Sequence, residues 1–501
     1  MTKLKRAILL LNLALAATTA PAQTAWVQRY GGPASGDNRA LAIVSDGSNN
    51  VVVTGYSTNA ASGYDFATIK YSSVGSPVWT NRYNGPANGD DQASAVVVDT
   101  NNNVIVTGAS GSAPNGDFVT IKYSSTGAPL WTNRYNGPAN GDDYAWAMVR
   151  DASNNVIVAG SSWNGTAYDY ATIKYSGAGV PVWTNRYNAP TNGNDQIAAV
   201  AVDSTNNVIV TGSSWNGADN DYATIKYSNT GTPLWTNRYN GPGNGDDYAY
   251  SLAVDGSNNV FVTGSSWNGT DNDYATIKYS GAGVPLWTNR YNGPGNGDDQ
   301  AYAVARDASN NVVVTGFSTG SSGDLDYATI QYSNNGVALW TNRYDGPANG
   351  NEIPYDLKVD ATNNVILTGS SWNGTDNDYA TIKYSSAGVL FGISRYNGPG
   401  NGDDQAKALA VDRTGSVYVT GASWNGTNSD YATLKCVFNP PAIPLLLQML
   451  NNQLVLSWTN AAFGLQSAPA ITATFTNVPG ATSPYTNPFT GAQNFFRLIS
   501  K

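Results

Sequence analysis

The chain has 501 residues, a formal charge of −9, one Cys and no His. An acidic chain lacks the basic face that nucleic acid needs, so nucleic acid is excluded as a partner. Without His there is no Ser-His-Asp or Cys-His catalysis and little scope for zinc, and a lone Cys forms no internal disulfide; only carboxylate chemistry stays open.

In chain order, Lys3, Lys5 and Arg6 lead into an apolar stretch from Ala7 to Ala17, and Ala20-Pro21-Ala22 is a small-residue cleavage pattern. Residues 1–22 are expected to be a secretory signal peptide, making the protein secreted or cell-surface. The stretch is too short to span a bilayer. The next apolar segment, Leu445 to Leu450, is interrupted by Gln448, so no transmembrane segment is expected. Cleavage removes three positive charges and no negative ones, taking −9 to −12. That charge favours a soluble monomer or a cationic partner. Glu352 is the only Glu among 35 acids, and there are 53 Gly. Asp bonds its own local backbone and forms turns, so long helices are not expected.

From Trp26 onward one unit recurs. The W-x-x-R-Y element starts at Trp26, Trp79, Trp131, Trp183, Trp235, Trp287 and Trp340, and Phe391 takes the Trp place in the eighth copy. The spacing is about 52 residues. Each unit holds four strand candidates, in the fourth copy Ala199-Val202, Val208-Thr211, Tyr222-Tyr227 and Leu234-Tyr239, separated by Asn, Asp, Gly and Pro clusters. Four antiparallel strands per unit, repeated eight times, predict an all-β, eight-bladed β-propeller over residues 23–438. The small apolar Ala199-Val202 type of strand belongs innermost, and the bulky Trp-Thr-Asn-Arg-Tyr type outermost. The chain opens on an outer strand at Trp26 and ends its last unit on a third strand at Tyr431-Cys436. Pairing of these two is expected to close the ring.

The run A-V-A-V-D, N-N-V-x-V-T-G, D-Y-A-T-I-K-Y and G-x-P-x-W resembles the bacterial β-propeller repeat family known as SBBP repeats, over residues 26 to 436. The resemblance implies export, a scaffold or binding role, no established catalytic residues, and seven blades as the alternative to the eight counted here.

After the Asn439-Pro440-Pro441 linker the composition changes. Residues 442–501 include Leu-Val-Leu-Ser-Trp at 454–458 and Phe495-Phe496-Arg497-Leu498, and predict a small β-sandwich-like module.

The longer loops, those between second and third strands and those between blades, fall on one face of such a ring, and loops on a rigid scaffold are where function gathers. Two sets of residues there are candidates. Trp163, Trp215, Trp267, Trp372 and Trp424 could present flat rings to a glycan beside Asn and Asp, or could pack between adjacent blades. Units one, two and six lack this Trp and read as having shortened loops. The pairs Asp90-Asp91, Asp142-Asp143, Asp246-Asp247, Asp298-Asp299 and Asp403-Asp404 are weak candidates for Ca²⁺, against turn hydrogen bonding or a link to the recurring Arg. Asn164, Asn268, Asn373 and Asn425 open N-G-T triplets that read as tight turns, and Cys436 reads as a buried apolar residue.

These features predict a non-enzymatic binding or structural scaffold, for glycans or protein partners, with no cofactor other than Ca²⁺. The competing function is a carbohydrate-active enzyme with Asp and Tyr in the channel. Such a site should break the repeat, and the visible departures, Glu352, Ile353 and Pro354 in unit seven and Trp146 and Arg150 in unit three, look scattered.

Overall fold

A computed structural model describes residues 22–59, 63–111, 115–438, 446–450, 453–458, 463–470, 472–488 and 495–500. The expected signal peptide, apart from Ala22, lies outside them. Two compact units result, one over residues 22–438 and one containing residues 439–501.

The first unit is an eight-bladed propeller of eight four-stranded antiparallel sheets. Blade four is typical, with strands Asp195–Val202, Val208–Trp215, Asn220–Tyr227 and Pro233–Tyr239 paired in that order. The first strands of successive blades lie side by side in a cycle that returns from blade eight to blade one, so these strands line the axis. The count is eight and not seven.

Blade eight takes three strands from the end of the repeats, Asp404–Val411, Val417–Trp424 and Ser429–Val437, and its outer strand, Gln23–Tyr30, from the start. The register runs from Gln23 opposite Val437 to Tyr30 opposite Tyr431. This seam accounts for Phe391. In blades one to seven the Trp of the preceding blade's outer strand donates its indole N–H to a carbonyl in the turn between third and fourth strands, as Trp183 does to Asn229 at 3.1 Å. Blade eight has no such turn, because its fourth strand comes from the start of the repeats, so an indole at position 391 would find no equivalent turn carbonyl among the described residues.

Each blade has an apolar face towards each neighbour, and burial of these faces holds the ring. One such core joins Ile157 and Tyr170 of blade three to Ile197, Val208, Val210, Ala223, Ile225 and Tyr227 of blade four. Eight equivalent cores circle the molecule. The buried Tyr222 hydroxyl crosses to the Ala275 carbonyl of the next blade at 3.2 Å, and Tyr431 closes this series on Ala67 at 3.1 Å. Cys436 is buried in the core between blades seven and eight, and burial pushes its thiol up to about 11.

Gly212 of the V-T-G element permits a feature that matters for the site. A Cβ there would stand 2.0 Å from the Gln196 carbonyl oxygen. Only Gly allows the first strand to come so close, and that strand then bulges between Ile197 and Ala199. All eight blades carry this glycine and this bulge.

The second unit has two three-stranded sheets, one of Leu446–Leu450, Gln453–Ser457 and Tyr485–Pro488, the other of Thr476–Asn477, Phe463–Ala468 and Phe495–Ser500. Leu456 and Trp458 meet Leu465 and Phe496 in a shared core, so the sheets form a small sandwich.

Candidate binding surface

The face carrying the longer loops is built by three sets of residues. The recurring Arg is one. Arg238, on the outer strand of blade four, donates to Ser214 Oγ, to the Ser214 carbonyl, to Asp221 Oδ2 and to the Tyr187 hydroxyl of blade three. Burial would lower its pKa, but Tyr187 and Asp221 outweigh that and raise it. The same node occurs in every blade, and at the seam Arg29 reaches Tyr396 at 2.9 Å. The Arg therefore pairs with the Asp that precedes the aromatic, not with the doubled Asp of the loops.

Those doubled residues divide their work. Asp246 is exposed, and its Oδ1 accepts the backbone N–H of Asn220 in the preceding blade at 2.9 Å. Asp90, Asp142, Asp298 and Asp403 accept in the same way, from Tyr64, Gly116, Asn272 and Asn377. Asn194 and Asn351 fill this place in blades four and seven, so an acceptor suffices and a charge is not required. The second members, Asp91, Asp143, Asp247, Asp299 and Asp404, are fully buried and turn into their own loops, as Asp247 does to accept Gly241 N–H at 2.6 Å and Trp267 N–H at 3.1 Å. Burial raises all five. Among the described residues one group of three carboxylates gathers closely enough to share an ion, Asp324, Asp326 and Asp345, and it contains none of these ten.

The five loop Trp residues are half-buried, each ending the second strand of its blade. Each ring covers a glycine of the loop that enters its own blade: Trp163 covers Gly141, Trp215 Gly193, Trp267 Gly245, Trp372 Gly350 and Trp424 Gly402. The indoles packed between blades belong to the other set, for which Trp183 against Tyr227 is typical, with centroids 6.0 Å apart. In blade six Thr319 replaces the loop Trp, and the link runs from 320 to 324, one residue longer than 216 to 219 in blade four. The shortening expected of this loop in unit six is therefore not found.

A third set was not legible as a site. The bulges bring Leu41, Ser94, Trp146, Ala198, Tyr250, Tyr302, Tyr355 and Lys407 to one level of the axial ring. Tyr250 meets Tyr302 edge-on at 5.4 Å, Tyr302 stacks with Tyr355 at 6.4 Å, and Lys407 Nζ lies 3.7 Å from the Tyr355 ring. Burial, and then Arg39, lower Lys407 to about 8. On the other side Trp146 is 50 % exposed and stacks on Tyr144 at 5.6 Å. Tyr144 meets Tyr168, and Tyr168 meets Trp163, so an aromatic track leads from a loop Trp to the channel. Beside it a cavity of about 530 Å³ is lined by Leu41, Asp90, Gln92, Asp142, Tyr144 and Trp146, among others. Superposition of the eight copies offers a signal for this set, since one position varies from Ala to Trp to Lys while five of the eight copies keep Ala on both sides of it.

Glu352 occupies the buried place of the second Asp. Its Oε1 accepts Trp372 N–H at 3.2 Å, and burial, with Asp345 nearby, pushes it up to about 7. Asn38 fills the same place in blade one, so a neutral group is compatible with the fold. A raised carboxyl is neutral in folded and unfolded chains alike below about pH 4.5, and its burial costs stability as pH rises through 7. Glu352→Gln is expected to raise stability at pH 8 by about 2 kcal/mol and to leave it unchanged at pH 4, as read from urea melts at the two pH values.

The SBBP β-propeller repeat model matches residues 234–270. An uncharacterized WD repeat-containing protein of Acanthamoeba polyphaga mimivirus is 22 % identical over 80 % of this chain, which spans 36 % of that relative's length. Among solved structures, Sqt1 of Chaetomium thermophilum covers 82 % of this chain and 98 % of its own, with a TM-score of 0.52 and 9 % identity. The same protein bound to the N-terminus of the ribosomal protein L10 gives a TM-score of 0.53 at 9 % identity, over 82 % of this chain and 99 % of that one. At such identity the likeness is one of fold.

Proposed function

We propose that this chain, whose repeat is the SBBP β-propeller repeat, is an exported, non-enzymatic binding scaffold that receives a glycan at the mouth of its channel. One observation carries the reading: the copies vary most at the single bulge position that meets around the axis, and there they place Trp146, Tyr250, Tyr302, Tyr355 and Lys407. A rigid repeated frame with one variable inward register suits selection of a ligand. Trp146 and Tyr144 supply flat apolar rings, and Asp90, Asp142 and Gln92 supply groups for hydroxyls. The loop Trp residues, apart from Trp163 on the aromatic track, support the loops in this reading. A carbohydrate-active enzyme needs two carboxyls across one cleft, one kept protonated. Glu352 is raised but enclosed by its own loop and does not line the cavity, which favours binding over catalysis. Export rests on the signal-like pattern of residues 1–22.

The test is a glycan array with the wild type, Trp146→Ala and Trp215→Ala. Trp146→Ala is expected to weaken binding at least tenfold with unchanged melting. Trp215→Ala should keep binding and lose about 2 kcal/mol of stability, half the loss of a fully buried Trp. Array signals that survive Trp146→Ala would refute the reading, as would a wild type that binds no glycan on the array.

A further inference from the structure

Blade six departs from its sisters where its second-to-third-strand link meets the loop that leads into blade seven. Asp324, Asp326 and Asp345 each bring a carboxylate oxygen there, all within 4.8 Å of one another. Two oxygens on one Ca²⁺, each about 2.4 Å from the ion, are at most ~4.8 Å apart, so the three suit one coordination shell.

The cluster is not a requirement of the fold. Asp326 is 7 % exposed, and its Oδ2 pairs with Arg343 at 2.6 Å as every sister Asp pairs with its Arg. The other oxygen differs. In six of the other blades an Asn side chain donates to it, as Asn216 does to Asp221 at 2.9 Å and Asn373 to Asp378 at 2.8 Å. Blade six has Gly320 in place of that Asn, and Asp326 Oδ1 is buried without a hydrogen-bond partner, as is Asp324 Oδ2. A Cβ on Gly320 would stand 3.0 Å from both Asp324 Oδ1 and Asp326 Oδ2, so the missing side chain opens the space between them. At the position of Asp345, six copies have Asn and one has Gly31. One copy has therefore lost an amide donor and gained a carboxylate at the same point.

We infer that Asp324, Asp326 and Asp345 form a site for one divalent cation, Ca²⁺ by preference, entered from the exposed Asp345 side. A hard cation would satisfy the two buried, unpartnered oxygens and offset the charge that Arg343, the one cation paired with the cluster, leaves over. Ca²⁺ is preferred to Mg²⁺ because it tolerates irregular oxygen shells and sheds water more readily. The inference is independent of the glycan proposal.

Calorimetric titration of the full chain with CaCl₂ tests it. The wild type is expected to bind one Ca²⁺ and to melt at higher temperature in its presence. Asp345→Asn and Gly320→Asn, which restore the sister residues, should each weaken binding at least tenfold while melting normally without Ca²⁺. Should Gly320→Asn fail to fold, Asp345→Asn decides alone. Absence of saturable binding in the wild type would overturn the inference, as would wild-type affinity in the variants, which would place the ion elsewhere, for instance at the doubled Asp residues of the loops.

Discussion

Deletion of residues 23–31 is expected to abolish cooperative melting of the propeller or to lower its midpoint by tens of degrees. The deletion removes the outer strand of blade eight and leaves the Ser429–Val437 edge unpaired. Arg29 goes with it, and the largely buried Asp430 loses its cation at 3.1 Å, while Tyr396 loses a donor at 2.9 Å. Stripping a buried carboxylate of its partner alone costs about 3–5 kcal/mol. Trp26, which packs on Tyr71 and Tyr418 and reaches Ser73 at 3.2 Å, is lost as well. Together these remove much of the roughly 5–15 kcal/mol by which folded domains are stable. Truncation from Pro444 onward removes a unit with its own core and should leave the propeller midpoint within a few degrees. Scanning calorimetry of the two deletions decides the matter, and the reverse order of effects would show the seam to be dispensable.

The second large effect is expected on the opposite face, where each first strand turns into the second. In blade four Asp203 Oδ1 accepts the backbone N–H groups of Thr205 and Asn207, both at 2.9 Å, and Oδ2 accepts Lys226 Nζ at 2.8 Å. Lys226 reaches on to the Gly281 carbonyl of the next blade. Asp203→Ala leaves a buried ammonium and open turn donors, and should cost about 3–5 kcal/mol at pH 7 in urea melts. Lys226→Gln should cost far less, because Gln331 already stands in this role against Asp307 at 3.0 Å. Burial would raise Asp203, but Lys226 and the turn donors outweigh it and hold the carboxyl at about 2; Asp360 is also held at about 2, and Asp46, Asp99, Asp151 and Asp412 are lowered. Groups depressed on folding stabilise above their ordinary value near 3.8 and cease to do so as pH falls through the folded value. The wild type should therefore lose stability steeply between about pH 4 and pH 2, and the gap to Asp203→Ala should narrow over the same interval. A gap that stays constant to pH 2 would mean that Asp203 acts through packing and not through its charge.

The frame was legible because the signal is repeated. Strand type, order, blade number and the pairing of the Trp26 strand with the last unit follow from spacing and from the missing fourth strand at the end. The channel residues were hidden by the bulge. The expected first strand starts at Ala199, whereas the strand runs from Asp195 and bulges at Ala198, and period two assigns the wrong face to every residue beyond an inserted one. The clue was Gly212, whose role is to admit a carbonyl from the neighbouring strand, a long-range fact that a strand pattern does not contain. The loop Trp residues were placed on the right face, yet their covering of glycines such as Gly193 depended on loop geometry that turn chemistry alone does not specify.

The stagger of the seam by one strand also sets a schedule. Gln23–Tyr30 leaves the ribosome first, and its partner Ser429–Val437 follows some 400 residues later. At 5–20 residues per second the first strand waits roughly 20–80 s without a mate. Through that wait every completed blade presents an apolar flank to a neighbour not yet made, and Trp26 and Val27 remain open to any strand edge that passes, including that of another copy. Closure is the last pairing in the assembly of the propeller, and a copy that closes on a neighbour instead of on itself would satisfy the same bonds while starting a polymer.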